Sequence, residues 1–281
     1  MIIWLASYPK SGNTWVRSFI ISLLYSKDGS SNLKDLEKIP QFPMKSHFKE
    51  IVNDLSNIHE LKKKWLEAQS ILNLDNKIKF FKTHHLNCRI DNFNFTDVNN
   101  TGGVIHIVRD PRNIVTSIKN HFHLNTIEDA KDFILSENNW TGFKNADKEK
   151  DTAVPTLISS WKNHFNSWKK FNKKYLLIKY ENLVNKPLEE FSKISKYLEN
   201  LLEIKIDSQK LQLAIDTNKF ENLRAQEQNG NFFESVIDKN KKKKNFFHLG
   251  QKNDFNVLLN SNIKKILEDN FKIEMQELGY K

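Results

Sequence analysis

The sequence predicts an α/β fold, with a mostly parallel central sheet and helices on both faces. Three observations predict it. Short apolar runs at Ile2–Ala6, Ile78–Lys82, Val104–Val108 and Tyr175–Tyr180 read as strands. Stretches with apolar residues every three or four positions read as amphipathic helices, and strands separated by helices give a parallel sheet covered on both sides. The chain has 281 residues and shows no internal repeat or domain boundary, so 1–281 reads as a single domain.

The elements follow in order. Ile2 to Ala6 is a short buried strand, and Trp15, Val16, Phe19, Ile20, Leu23 and Leu24 lie at helical spacing behind it. Strand, tight loop and helix therefore open the chain. Ile78–Lys82 is the second strand. Val104–Val108 is the third, followed by a helix that Pro111 opens. Tyr175–Tyr180 is the fourth. Leu157, Ile158, Trp161, Phe165, Trp168 and Phe171 mark one later helix; Leu188, Phe191, Ile194 and Leu198, after Pro187, mark another. A last helix is expected over 260–278. The polar stretch Arg224–Asn245, with Lys239 and Lys241 to Lys244, reads as a flexible loop.

Composition narrows the function classes. The net charge of +10 suits an anionic partner, but lysine and asparagine are spread along the whole chain, so no single patch is implied. Nucleic acid is not expected as a partner. The lone Cys88 excludes an intrachain disulfide and reads as a small packed residue in a reducing compartment. The apolar run at the N-terminus is too short for a signal-peptide core, and nothing approaches the ~18 apolar residues of a membrane span. A cytoplasmic protein is expected. Its oligomeric state, a homodimer included, stays open.

Three segments carry chemistry. Tyr8-Pro9-Lys10-Ser11-Gly12-Asn13-Thr14-Trp15 lies between the first strand and the first helix. A helix start presents unpaired N–H groups and a positive dipole end, which makes an anion site. Gly12 lets the backbone approach closely, Ser11, Asn13 and Thr14 offer side-chain donors, and Lys10 supplies a mobile charge. The pattern GxxxxGK[ST] is absent because the lysine precedes the glycine, which argues against an ATPase or kinase. In the second segment, Arg109 ends the third strand and Ser117 follows eight residues later on the helix. Both donors can meet one anion at the carboxyl edge of the sheet. In the third, Lys82-Thr83-His84-His85 leaves the second strand, and a histidine near neutrality suits base work. Adjacent residues at a strand end face different ways, so His84 and His85 are rivals.

Together these segments resemble the PAPS-dependent sulfotransferases, where PAPS is 3′-phosphoadenosine-5′-phosphosulfate. The resemblance implies a P-loop-NTPase-like three-layer sandwich that takes PAPS as co-substrate, releases PAP (adenosine 3′,5′-bisphosphate) and needs no metal. It implies that Lys10, Ser11, Gly12, Asn13 and Thr14 hold the 5′-phosphate, that Trp15 stacks on adenine, and that Arg109 and Ser117 grip the 3′-phosphate. It assigns His84 as general base, with Lys10 and Lys82 neutralising charge on the transferring group. Leu177–Leu183 resembles the strand whose tyrosine lies near adenine, which adds Tyr180. Phe220–Leu223 resembles the stretch before the cofactor-covering loop. Phe246–Gly250 resembles the family's Arg-Lys-Gly segment, but His248 and Leu249 stand where Arg and Lys are usual, leaving Gly250; either Lys241 to Lys244 compensate, or donor affinity is lower, or the donor differs. The expected acceptor is a hydroxyl or amine of a small molecule or carbohydrate, with 25–60 and 119–150, carrying Phe42, Phe48, Phe122, Trp140 and Phe143, as the expected walls of its pocket. The competing readings are a kinase or NTPase with a degenerate loop and a non-catalytic polyanion-binding protein.

Overall fold

The structure is a computed structural model. It describes residues 1–281 apart from 143–151, 172–173, 231, 233, 235, 238–242 and 248, so Phe143, Lys239, Lys241, Lys242 and His248 lie outside the described residues.

Among the described residues, ten strands run in chain order: β1 (Ile2–Ser7), β2 (Lys79–Thr83), β3 (Arg89–Ile90), β4 (Phe93–Asn94), β5 (Thr101–Val108), β6 (Trp140–Thr141), β7 (Thr156–Leu157), β8 (Tyr175–Lys179), β9 (Val236–Ile237) and β10 (Lys243–Lys244). Four of them form the central parallel sheet in the order β2-β1-β5-β8, flanked by helices. The other six make three short pairs. β1 and β2 run parallel, with Ile2 opposite Lys79 and Ala6 opposite Thr83. Every residue of β1 and β5 is buried. Such strands read as continuous apolar runs because both faces are covered.

The chain divides into two compact units. The first comprises Met1–Tyr8, Pro40–His106 and Leu135–Leu177. Its core gathers Ile2, Trp4 and Ala6 of β1 with Phe42, Phe48, Trp65, Phe81, Phe95 and Trp168. Trp4 lies within 6.2 Å, centroid to centroid, of Phe42, Phe81, Phe95 and Trp168, and its indole N–H donates to Thr101. Cys88 packs beside this cluster, and burial pushes its thiol up to about 12, as befits a packed residue. The second unit comprises Pro9–Ile39, Ile107–Ile134 and Ile178–Lys281. There the helix Asn13–Tyr25 packs Phe19 against Phe191, centroids 4.2 Å apart and planes tilted by 34°.

Several elements differ from the pattern-based expectation. The helix expected from Leu157 begins at Trp161: Leu157 sits in β7, Ser159 is left-handed at φ 61, and Ser160 caps the helix. The C-terminal helix is two, Ser261–Asn270 and Lys272–Leu278, parted at Phe271, which leaves helical geometry and is buried. Arg224 to Gln228 is helical, the end of Phe220–Gln228, where a loop is expected. Tyr180 opens the helix Tyr180–Asn185 instead of ending the strand. The helix Ile58–Asn73 lies outside the predicted elements, although Asn57 caps it and Leu61, Trp65 and Ala68 line its buried face. Among the described residues, no helix is long and apolar enough to cross a membrane.

Candidate active site

The loop after β1 turns on two left-handed residues, Lys10 at φ 67 and Gly12 at φ 100. A Cβ at Gly12 would stand 2.7 Å from Cδ2 of Tyr180, so the position admits only glycine. Lys10 holds the same kind of conformation at a cost of about 1–2 kcal/mol. Left-handed residues within a turn aim backbone N–H groups into a common concavity, the arrangement that receives anions. Gly12 is also the N-cap of the helix Asn13–Tyr25 and offers no side-chain cap. Ser11, Asn13 and Thr14 are buried around it.

Arg109 leaves the end of β5 and reaches this loop. Its guanidinium donates to the Lys10 carbonyl at 3.0 Å, lies 3.5 Å from Ser117 Oγ, and sits 4.1 Å above the Tyr180 ring. Tyr180 in turn meets Trp15 edge-on, with centroids 6.0 Å apart. The Trp15 indole N–H is fixed on the Asn218 carbonyl at 2.6 Å. Lys10, Gly12, Trp15, Arg109, Ser117 and Tyr180 therefore form one continuous cluster within the second unit. Gly250 joins through Asn253, which donates its backbone N–H to the Gly250 carbonyl and its side-chain amide to Ser117 Oγ at 3.3 Å.

Among the described residues, Arg109 Nε of this cluster and Ser11 Oγ of the adjoining turn are buried without a hydrogen-bond partner. A buried polar atom without a partner costs about 1–3 kcal/mol. Phosphate oxygens are the acceptors that a hydroxyl and a guanidinium N–H would meet, so these residues fit an anionic nucleotide.

The structure adds contacts that sequence reasoning missed, and with them Arg17, Glu227 and Glu234. Phe220 packs against Gly250, where an added Cβ would stand 2.6 Å from its ring. The Lys10 ammonium lies 3.4 Å from the Phe246 centroid. The buried Glu227 carboxylate accepts the Phe246 and Phe247 N–H groups at 2.5 and 2.9 Å. Arg17, a buried cation one turn beyond Thr14, pairs with Glu234 at 2.6 Å, and Thr14 Oγ1 lies 3.4 Å from the same carboxylate. The partners in these contacts are far apart in sequence, and no local pattern signals them.

The first unit holds Lys82, His84 and His85. Lys82 is buried at the end of β2, its backbone bonded to Pro40 and Phe42. His84 is half-buried; its Nδ1 lies 2.7 Å from the Ser7 carbonyl and 3.3 Å from Ser7 Oγ. A carbonyl only accepts, so this bond places a proton on Nδ1, and in the neutral ring the lone pair is then on Nε2. His85 faces inward. Its ring stacks on Phe95 at 4.1 Å with planes 2° apart, its Nδ1 bonds the Leu86 carbonyl, and burial holds its pKa down to about 4.

Fold and loop define the class: an α/β protein of the P-loop-like kind, with a tight left-handed turn at Lys10 and Gly12 between its first strand and first helix. The chain belongs to the sulfotransferase domain family, whose model matches residues 2–279. It is thus an enzyme of sulfuryl transfer. Solved structures share the fold. A mouse sulfotransferase complexed with PAP is 18% identical with a TM-score of 0.61, the alignment covering 98% of this chain and 84% of that one. Retinol dehydratase complexed with retinol and PAP is 15% identical with a TM-score of 0.59, covering 98% of this chain and 81% of that one. The same enzyme with androsterone and PAP gives 14% and 0.56, covering 98% and 80%. No curated protein matches the chain in sequence.

Proposed function

We propose that residues 1–281 act as one sulfotransferase domain that moves a sulfuryl group from PAPS to a hydroxyl or amine of a small-molecule or carbohydrate acceptor. The observation that carries this reading is the cluster in which Arg109 joins the Lys10 loop to Ser117 and Tyr180 with two buried donors left to fill. Ser11, Gly12, Asn13 and Thr14 hold the 5′ end of the donor. Arg109 and Ser117 grip its 3′-phosphate, with the Gly250 turn behind Ser117. Trp15 and Tyr180 flank the adenine.

PAPS supplies an activated sulfuryl group with a phosphate leaving group. The acceptor attacks sulfur in line, opposite the bridging oxygen. Negative charge grows on that oxygen, where a placed cation lowers the barrier, and Lys10 is assigned to it. His84 takes the acceptor proton at Nε2, its ring oriented by the Ser7 carbonyl. Lys82 neutralises the transferring group. His85, buried and stacked, is a structural residue in this scheme. The small-molecule acceptor class is supported by the similar structures that hold retinol or androsterone.

Calorimetric titration tests the reading: PAP should bind and ATP should not. ATP binding as tight as PAP would point back to a nucleotide hydrolase or kinase. Turnover is then sought with labelled PAPS across an acceptor panel.

A further inference from the structure

Glu181 plays no part in the scheme above, yet it touches the backbone that carries Arg109. It follows Tyr180, the ring beneath the Arg109 guanidinium. One carboxylate oxygen accepts the N–H of Asp110, the residue after Arg109, at 2.9 Å. The other accepts the Tyr280 hydroxyl, 99 residues further along the chain, also at 2.9 Å. The Tyr280 ring is buried, with the Lys179 ammonium 4.9 Å from its centroid. Burial raises the Glu181 carboxyl above its ordinary range, against the pull of these bonds and of Arg109.

Asp110 is held from its other side as well. It caps the helix Pro111–His121 and pairs with Arg112 at 2.7 Å, and Arg112 pairs with Glu268 at 2.6 Å and donates to the Lys281 carbonyl at 2.7 Å. The Arg109–Asp110 peptide is therefore pinned by Glu181 alongside and by the cap behind. The Arg109 side chain leaves that pinned peptide toward Tyr180 and Ser117. A guanidinium that must meet a phosphate with two N–H groups needs its starting point fixed, because a bidentate geometry tolerates little displacement.

We propose that Glu181 and Tyr280 are positioning residues for the 3′-phosphate: they lock the Arg109–Asp110 peptide against Tyr180, so that Arg109 stands ready to grip that group. The proposal rests on the assignment of Arg109 to the 3′-phosphate. It makes the C-terminal Tyr280 part of nucleotide discrimination.

The test compares two ligands, PAP and adenosine 5′-monophosphate, by calorimetry on wild type, Tyr280→Phe and Glu181→Gln. Tyr280→Phe keeps the ring and removes only the hydroxyl. It should weaken PAP by about threefold to tenfold while the monophosphate stays within about twofold, the size expected for the net worth of one ordinary hydrogen bond. Glu181→Gln should act in the same direction and more strongly. Variants that weaken both nucleotides equally, or neither, overturn the proposal while a discriminating wild type keeps Arg109 in its role. Wild type that does not distinguish the two nucleotides removes the 3′-phosphate reading and this proposal together.

Discussion

At the scale of single residues, the two histidines after β2 separate by what surrounds them. His84 is half-buried with its lone pair placed on Nε2, whereas His85 is wholly buried against Phe95. His84→Ala should cut turnover by about 10²–10⁴, the usual worth of a general base, with little change in melting temperature. His85→Ala should do the reverse, lowering the melting temperature while the surviving folded enzyme keeps its rate. Stopped turnover assays and thermal melts on both variants decide; full turnover by His84→Ala refutes the base. Lys10→Ala should lose about 10²–10³ in kcat, as when a charge-stabilising donor is removed. PAP affinity should fall far less. An unchanged kcat would remove Lys10 from the chemistry.

At the scale of elements, the strand–loop–helix unit of residues 2–25 is the one to which we assign the 5′ end of the donor. Its turn depends on Gly12, where left-handed backbone and the Tyr180 ring both exclude a side chain. Gly12→Ala should cost about 1–3 kcal/mol of stability, the usual size of such backbone strain. It should also weaken PAP, because the added methyl displaces Tyr180 and with it the ring under Arg109. Urea unfolding and PAP titration read the two effects; a variant that matches wild type in both would show the turn to be slack. This element was fully legible in sequence, since apolar run, loop residues and helical spacing are all local. The helix expected from Leu157 was less so, because its start is set by the left-handed Ser159 and the pairing of β6 with β7, neither of which helical spacing reports.

At the scale of the whole molecule, buried histidines give the protein an acid limit. Burial holds His85 down to about 4 and His106 down to about 3, and it also lowers His164 well below 6.5, with nearby histidines adding to the effect. In the unfolded chain these rings take up protons near pH 6.5, while the folded protein refuses them until much lower pH. Their contribution is therefore intact above pH 6.5 and is lost as pH falls toward 4, by about 1.4 kcal/mol per pH unit for each ring that stays neutral. The melting temperature should drop steeply across that window, and His106→Phe should flatten the drop. A melting temperature level from pH 7 to pH 4 would contradict the assignment. PAP, binding only the folded state, should raise the melting temperature with concentration.

The sequence by itself determined the parallel α/β fold, the strand–loop–helix unit of residues 2–25 and the pairing of Arg109 with Ser117, because each is written in short apolar runs, neighbouring residues or about two turns of helix. Only the tertiary structure decided which histidine faces inward, since β2 alone does not say where Phe95 and Ser7 lie. It alone brought Asn253 to Ser117, Glu227 to Phe246 and Tyr280 to Glu181. These contacts join positions about 20 to 140 residues apart. Such partners are selected by buried hydrogen bonding, which leaves no periodic trace in a chain.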